Sequence, residues 1–181
     1  MPNMISLLRG INVGGNKRVP MADLKRLYES LDFTQVQTLL QSGNAVFTTD
    51  QTDIPALTRV IEDGIQRTFS FEVRIMLRTP EQWRTLMHAH PYSAAQMEAP
   101  DKILVLFLAD APAPEGMAAV AAGVKPPETV AFNGEEVYLY FGEGMGRSKL
   151  STAWIEKQLG TAGTGRNWNT LVKLRALVDG D

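Results

Sequence analysis

The stretch VQTLLQSGNAVFT, residues 36–48, decides the fold because it contains two strands joined by a tight turn. Val36 to Leu40 is rich in strand-forming residues, Ser42-Gly43-Asn44 is a turn signal, and Ala45 to Thr48 is the partner strand. Amphipathic helical patterns lie on both sides of this hairpin. The stretch therefore predicts an antiparallel strand pair placed between two helices.

The sequence around the hairpin completes a repeating order of strands and helices. Met4 to Leu8 is a short apolar strand, and Pro20 then opens a helix at a favourable first position. After the hairpin, Asp53 is a good cap for a helix that runs to Phe69. Apolar residues alternate with charged ones in most of 71–78, which predicts a strand with one buried face. The resulting order, βαββαβ, is that of the ferredoxin-like plait.

The second half repeats this order less completely. A capping box, Thr79-Pro80-Glu81-Gln82, opens a helix, and the apolar run 103–108 predicts a central strand. A helix over 112–122, a hairpin around Asn133-Gly134 and two helices over 151–159 and 167–178 follow. A last strand must come from 160–165 or be missing.

We therefore predict an α+β protein with two ferredoxin-like (α/β plait) domains. The first domain covers residues 1–78, and the second covers 79–181, carries extra helices and lacks or alters its last strand. The alternative is one larger α+β sheet that fuses both halves.

Composition narrows the class of protein. The charged fraction of 21% and hydrophobic fraction of 44% are ordinary for a soluble globular chain, and there is no cysteine. The absence of cysteine excludes disulfides and thiolate sites and favours the cytoplasm. Neither a signal peptide nor a membrane span is predicted, so we expect no membrane partner. The net charge of −2 argues against sequence-independent nucleic-acid binding, although 143–178 carries six Lys/Arg and two Asp/Glu.

Four glycine-punctuated polar segments lie far apart in the chain: 8–15, 41–44, 144–149 and 164–169. Glycine turns expose backbone N–H groups, and three of the segments carry Arg or Lys, a combination that suits an anion. We predict that their side chains converge in a cleft between the two domains on a phosphate-bearing or other anionic ligand, either a nucleotide or a nucleic-acid segment. The predicted ligand-binding residues are Arg9, Asn12, Gly14, Gly15, Gln41, Ser42, Asn44, Arg147, Ser148, Lys149, Arg166 and Asn167.

Cations at two helix starts are the sharpest local signal. Arg147 and Lys149 precede one predicted helix, which Ser148 or Ser151 can cap, and Arg166 precedes another, which Asn167 can cap. Cations are unfavourable at a helix N-terminus, so the conflict indicates a bound anion. The alternatives are a salt bridge to an acid elsewhere and turns that only join the domains.

The sequence does not contain the established catalytic or nucleotide-binding motifs. The G-x-G-x-x-G and P-loop spacings are absent, and no catalytic residue, cofactor or metal site is predicted. His88 and His90 are poorly spaced for a metal and are interpreted as surface residues. Two alternatives to a binding protein stay open: an enzyme acting on a small phosphorylated or carboxylated metabolite, and a structural or interaction protein. The oligomeric state is open as well.

Together, these segments resemble a known family. The run 7–15, with 41–47, 146–150 and 164–170, resembles the bacterial family called domain of unknown function 1697, over essentially the whole chain. The resemblance implies a fold of two α/β plait domains. It implies no established activity.

Overall fold

A computed structural model describes residues 3–180 of the 181-residue chain. A 3-10 turn over Pro100–Lys102 immediately precedes the strand Ile103–Leu108. In chain order, the elements of the described residues are β1 (Asn3–Leu8), α1 (Met21–Ser30), β2 (Thr34–Leu39), β3 (Asn44–Thr48), α2 (Ile54–Phe69), β4 (Ile75–Arg78), α3 (Pro80–His88), α4 (Ala94–Met97), β5 (Ile103–Leu108), α5 (Pro114–Gly123), β6 (Thr129–Asn133), β7 (Glu136–Tyr140), α6 (Thr152–Leu159), β8 (Gly163–Asn167) and α7 (Trp168–Asp179).

The chain divides into two compact units. The first is Met1–Arg84 with Lys173–Asp181, and the second is Thr85–Val172. Each unit has one four-stranded antiparallel sheet with helices, in the orders β2-β3-β1-β4 and β6-β7-β5-β8. The mixed α+β class with two separate sheets is therefore confirmed, and the alternative of one fused sheet is wrong. The boundary between residues 78 and 79 stays a prediction.

In the first unit, α1 and α2 pack on one face of the sheet. Leu24 and Tyr28 of α1 and Ile61 of α2 are fully buried against strand residues such as Phe47. The Tyr28 hydroxyl shares a hydrogen bond of 2.7 Å with the hydroxyl of Ser6, and burial raises the pKa of Tyr28. The apolar spacing of the two helices thus produces the core that the sequence predicts.

In the second unit, β5 is the central strand. Val105 pairs with Tyr138 of β7 on one side and with Arg166 of β8 on the other. Helices α5 and α6 cover one face of this sheet, where Val120 and Ile155 pack on the strands. This packing places the start of α6 beside the end of α5, at the site described below.

The last strand of the second sheet is present, so of the two predicted possibilities, a missing or an altered last strand, the missing one is wrong. It lies at Gly163–Asn167, slightly later than the predicted 160–165, and pairs with β5. A Cβ at Gly163 would lie 2.9 Å from a methyl carbon of Leu106, so the missing side chain lets the strands approach closely.

The strand predicted over residues 71–78 is shorter in the structure. Only Ile75–Arg78 pairs with β1, because Leu8 is the last residue of β1 and it lies opposite Ile75. Arg9 adds one further hydrogen bond, from its N–H to the carbonyl of Arg74 at 3.0 Å. Residues 71–74 alternate in polarity but have no strand partner beyond that bond in the described chain.

Candidate functional site

The first predicted segment forms a small projecting hairpin in the first unit. The N–H of Asn12 donates to the carbonyl of Lys17 at 3.1 Å, and that of Asn16 to Val13 at 3.1 Å. Gly14 and Gly15 form its tip with φ of 59° and 77°, a conformation that L side chains rarely adopt. The glycines of this segment therefore build a tight turn.

Asn12 holds this hairpin against the second predicted segment. Its side-chain amide donates to the carbonyl of Val19 at 2.9 Å and to that of Gln41 at 2.8 Å. Its side-chain oxygen accepts from the N–H of Val19 at 2.8 Å. All three bonds run between the Asn12 side chain and main-chain groups, so this amide stabilises the local fold.

The second predicted segment is a turn at the end of the same sheet. The N–H of Leu8 donates to the carbonyl of Gly43 at 2.9 Å. Asn44 is fully buried, and its amide donates to the carbonyl of Leu39 at 2.7 Å and to the hydroxyl of Ser42 at 3.0 Å. The structure thus brings the first two segments together, and only Gln41 and Ser42 of this turn are exposed.

Arg9 lies at a mixed-charge pocket of about 340 Å³ beside the hairpin. Lys17 shares this pocket and donates to the carbonyl of Glu72 at 2.6 Å. The full lining is Arg9, Lys17, Glu62, Asp63, Gln66, Glu72, Val73 and Arg74. Three acidic residues balance three basic ones here, so the pocket carries no excess of positive charge for an anion.

The third segment lines a groove in the second unit, which we call the α6 groove. It has a volume of about 540 Å³ and lies between the end of α5 and the start of α6. Its lining consists of Gly123, Val124, Lys125, Pro127, Glu128, Glu143, Arg147, Ser148, Lys149, Leu150, Ser151 and Trp154. Three predicted site residues, Arg147, Ser148 and Lys149, are therefore brought together with residues distant in sequence.

The cations of the α6 groove are exposed side chains. Within residues 3–180, no carboxylate lies within 4 Å of the charged nitrogens of Lys125, Arg147 or Lys149. Lys125 donates to the carbonyl of Ala122 at 2.6 Å. The alternative that a salt bridge neutralises Arg147 is therefore wrong for the described chain.

Two serines shape the start of α6. Ser151 is the N-cap, and its hydroxyl oxygen accepts from the N–H of Trp154 at 3.2 Å. The hydroxyl oxygen of Ser148 instead accepts from the N–H of Leu150 at 3.1 Å. Of the two caps left open by the sequence, Ser151 is the one used, and it lies in the groove.

The fourth segment belongs to β8 and the start of α7 rather than to the α6 groove. Arg166 is only 6% exposed, and its guanidinium donates to the hydroxyl of Thr164 at 2.6 Å and the carbonyl of Gly165 at 2.9 Å. Burial lowers the pKa of Arg166 to about 10. Asn167 caps α7, as predicted, by accepting from the N–H of Thr170 at 2.9 Å.

Sequence reasoning did not single out Lys125, Glu128, Glu143 and Trp154 as site residues. The sequence predicts Trp154 as part of the apolar face of α6 and Lys125 as part of a helix stop. Only the packing of α5 against α6 brings them to Arg147. A tryptophan three residues beyond an N-cap serine, following two cations, is the signal available in the sequence.

The described residues contain neither a metal-binding cluster nor a helix that could span a membrane. Among residues 3–180, no cluster of three or more His, Asp or Glu side chains is arranged to hold a metal ion. No helix in this part of the chain is long and apolar enough to cross a membrane. His88 is exposed, as predicted, whereas the ring of His90 stacks on Tyr92 and contacts Trp168 edge-on.

Comparison with known proteins identifies the family. The sequence matches the family described as protein of unknown function (DUF1697) over residues 1–138, and the chain belongs to this family. No curated protein matches it significantly. A solved structure described as the conserved bacterial protein SP0830 from Streptococcus pneumoniae is similar, with a TM-score of 0.74 and 20% identity, covering 98% of each chain. At this identity the likeness shows the fold.

Proposed function

We propose that the protein binds a phosphate-bearing small molecule in the α6 groove. One observation carries the proposal: Lys125, Arg147 and Lys149 line the same groove, and no described carboxylate pairs with them. Two glutamates, Glu128 and Glu143, also line it, so cations exceed acids by one. Three cations brought together from two loops, at an electrostatic cost to one another, are explained by an anion that they share.

The start of α6 supports the same ligand. Arg147 and Lys149 precede the Ser151 cap, where the helix dipole disfavours cations in the absence of an anion. The unpaired N–H groups of a first helical turn favour phosphate oxygens. Arginine offers two parallel hydrogen bonds to a phosphate and lysine a point charge, so the two side chains complement each other.

The proposal also covers the fold of each unit. We propose that both are ferredoxin-like plaits. Each unit has the order βαββαβ, and its first strand lies between its third and fourth strands in the sheet. Convergence of all twelve predicted site residues in one cleft stays a prediction, as does the cytoplasmic location. The proposed site uses Arg147, Ser148 and Lys149 of those twelve.

Calorimetric titration at low salt tests the binding proposal. The probes are inorganic phosphate, ribose 5-phosphate and the four common 5′-mononucleotides. Each of Arg147→Ala and Lys149→Ala should weaken binding about tenfold or more, because each removes a charge-assisted hydrogen bond worth roughly 1.5–3 kcal/mol. Raising the salt concentration should weaken binding further.

Lys157→Ala is the matched control. Lys157 is an exposed cation in the last turn of the same helix and does not line the groove. It changes the net charge as Arg147→Ala does, so its affinity should equal that of the unmodified protein. Absence of heat with every probe, or equal weakening by Lys157→Ala, would contradict the proposal.

A further inference from the structure

The aromatic wall of the α6 groove indicates what the ligand carries besides phosphate. Trp154 is partly exposed and lines the groove together with the three cations. The other two tryptophans of the chain, Trp83 and Trp168, are 1% and 6% exposed. Trp154 is thus the tryptophan that a ligand in the groove can reach.

Gly123 fixes the position of this ring. A Cβ at Gly123 would lie 2.4 Å from Cη2 and 2.8 Å from Cζ2 of Trp154, distances that real Cβ atoms essentially never show. The six-membered edge of the indole therefore lies directly on the backbone at the end of α5. Because packing against Gly123 already restricts the ring, Trp154 loses little side-chain freedom when a flat ligand stacks on it.

The size and lining of the groove accommodate a ligand larger than an inorganic ion. A volume of about 540 Å³ lies within the range of roughly 300–1,000 Å³ typical of small-molecule sites. Val124, Pro127 and Leu150 add apolar wall beside Trp154. A ligand that fills this groove combines an anionic group with an apolar, flat one.

We infer, on the basis of the proposed function, that the ligand is a free 5′-mononucleotide. Its phosphate contacts Arg147 and Lys149, and its base packs on Trp154. Stacking on an aromatic side chain accepts any base, because every base has a π-face. Glu128 and Glu143 supply acceptors for ribose hydroxyls or base amino groups, groups that an inorganic anion lacks.

The charge of the whole chain favours a free nucleotide over a nucleic-acid strand. With 20 Asp/Glu and 18 Lys/Arg, the protein lacks the excess of positive charge with which strand-binding proteins usually hold an extended polyanion. The three cations of the α6 groove suit the single phosphate group of a mononucleotide better than the many phosphates of a strand. The nucleic-acid alternative becomes an arm of the test.

Four probes on the unmodified protein test the inference: adenosine 5′-monophosphate, ribose 5-phosphate, adenosine and a single-stranded decanucleotide. The mononucleotide should bind about 5- to 150-fold more tightly than ribose 5-phosphate, the equivalent of 1–3 kcal/mol of stacking. It should also bind more tightly than adenosine and than the decanucleotide, and it should quench tryptophan fluorescence.

Variants of the wall locate the effect. Gly123→Ala displaces the indole, so it should reduce the affinity for the mononucleotide towards that for ribose 5-phosphate. Trp154→Phe keeps a stacking ring and the fold but should abolish the ligand-induced quenching. Trp154→Ala should abolish both quenching and the preference for the base.

The possible failures are distinguishable. Equal affinity for ribose 5-phosphate and the mononucleotide overturns the inference and leaves phosphate binding in the groove intact. Tighter binding of the decanucleotide overturns the free-nucleotide assignment. Binding of none of the four probes overturns the inference and the proposed function together.

Discussion

The side-chain amide of Asn12 donates a 2.8 Å hydrogen bond to the main-chain carbonyl of Gln41, joining two predicted segments across the end of one sheet. The same amide group closes the hairpin onto Val19 from both its nitrogen and its oxygen. Asn12 also has a φ of 54°, which asparagine tolerates better than most residues. One side chain thus holds the projecting loop in place.

Asn12→Ala should therefore lower the free energy of unfolding by about 2–4 kcal/mol. The change leaves main-chain groups without partners and places alanine in the left-handed region, and each effect costs roughly 1–2 kcal/mol. Asn12→Gly should cost less, because it removes the hydrogen bonds without the strain. Urea unfolding, followed by circular dichroism, measures both.

Asn16→Ala is the control for this comparison. Asn16 is exposed in the same hairpin, and it donates to the carbonyl of Val13 through its main-chain N–H. Its replacement should change the free energy of unfolding by less than about 0.5 kcal/mol. Equal losses for Asn12→Ala and Asn16→Ala would mean that the Asn12 side chain does not hold the loop.

Gly43→Ala should be far more damaging than Gly14→Ala. Gly43 has a φ of 84°, and a Cβ there would lie 2.5 Å from Cδ1 and 3.0 Å from Cγ1 of Ile11, which is buried. Gly14 has a similar backbone conformation but nothing within 4 Å of an added Cβ. Gly14→Ala should thus cost only the backbone strain of about 1–2 kcal/mol.

The difference between the two alanine variants isolates overpacking, which typically costs 1–3 kcal/mol in addition to strain. Thermal unfolding of both proteins at the same concentration measures it. Similar melting temperatures for the two variants would show that Ile11 yields to the new methyl group without cost.

The sequence predicted the elements that have their own periodicity. The hairpin of residues 36–48 appears as β2 and β3, and the capping box appears as reciprocal bonds between Thr79 and Gln82, of 3.1 and 2.8 Å. Local patterns decide these features, because the interacting groups lie within a few residues of one another.

Strand β8 could not be predicted in the same way. Its sequence, GTGRN, has low strand propensity and no alternation. The strand forms because Gly163 and Gly165 let the backbone approach the side chains of Leu106 and Leu104 in the central strand. Such long-range pairing leaves little local trace.

Long-range packing also distinguishes two arginines that the sequence predicts to bind a ligand. Arg147 and Arg166 both precede a helix cap in the sequence, which predicts the same role for both. Pairing with Val105 buries Arg166 in β8, while Arg147 stays exposed in the α6 groove. Burial, which local sequence does not encode, distinguishes a structural arginine from one available to a ligand.

Asp179 should make stability depend on pH in the acidic range. Arg84 donates to its carboxylate at 2.5 Å and Arg175 at 3.3 Å, and the hydrogen bond from Arg84 is the main reason why the pKa of Asp179 lies below its usual value. The unfolded chain therefore binds this proton more readily than the folded one. The stabilisation is present above the unfolded pKa of about 3.9 and is lost as pH falls through the folded pKa.

Asp179→Asn should accordingly reduce stability slightly at pH 7, and the difference from the unmodified protein should disappear at pH 2. The effect is small because all three side chains are partly exposed, and 1 M salt should reduce it. Asp50→Asn, at an exposed carboxylate, is the control. A difference that persists unchanged to pH 2 would show that the asparagine acts through packing.

Arg147→Ala and Arg166→Ala should have opposite consequences for stability. Loss of Arg147 should leave the melting temperature unchanged or raise it slightly, because it relieves the conflict with the α6 dipole. Loss of Arg166 should cost about 2–4 kcal/mol, because it empties a buried site and removes the donor to Thr164 and Gly165. Parallel thermal and urea unfolding of the two variants measures both effects. A large loss for Arg147→Ala would make that arginine structural, and stability retained in Arg166→Ala would contradict the role of its hydrogen bonds.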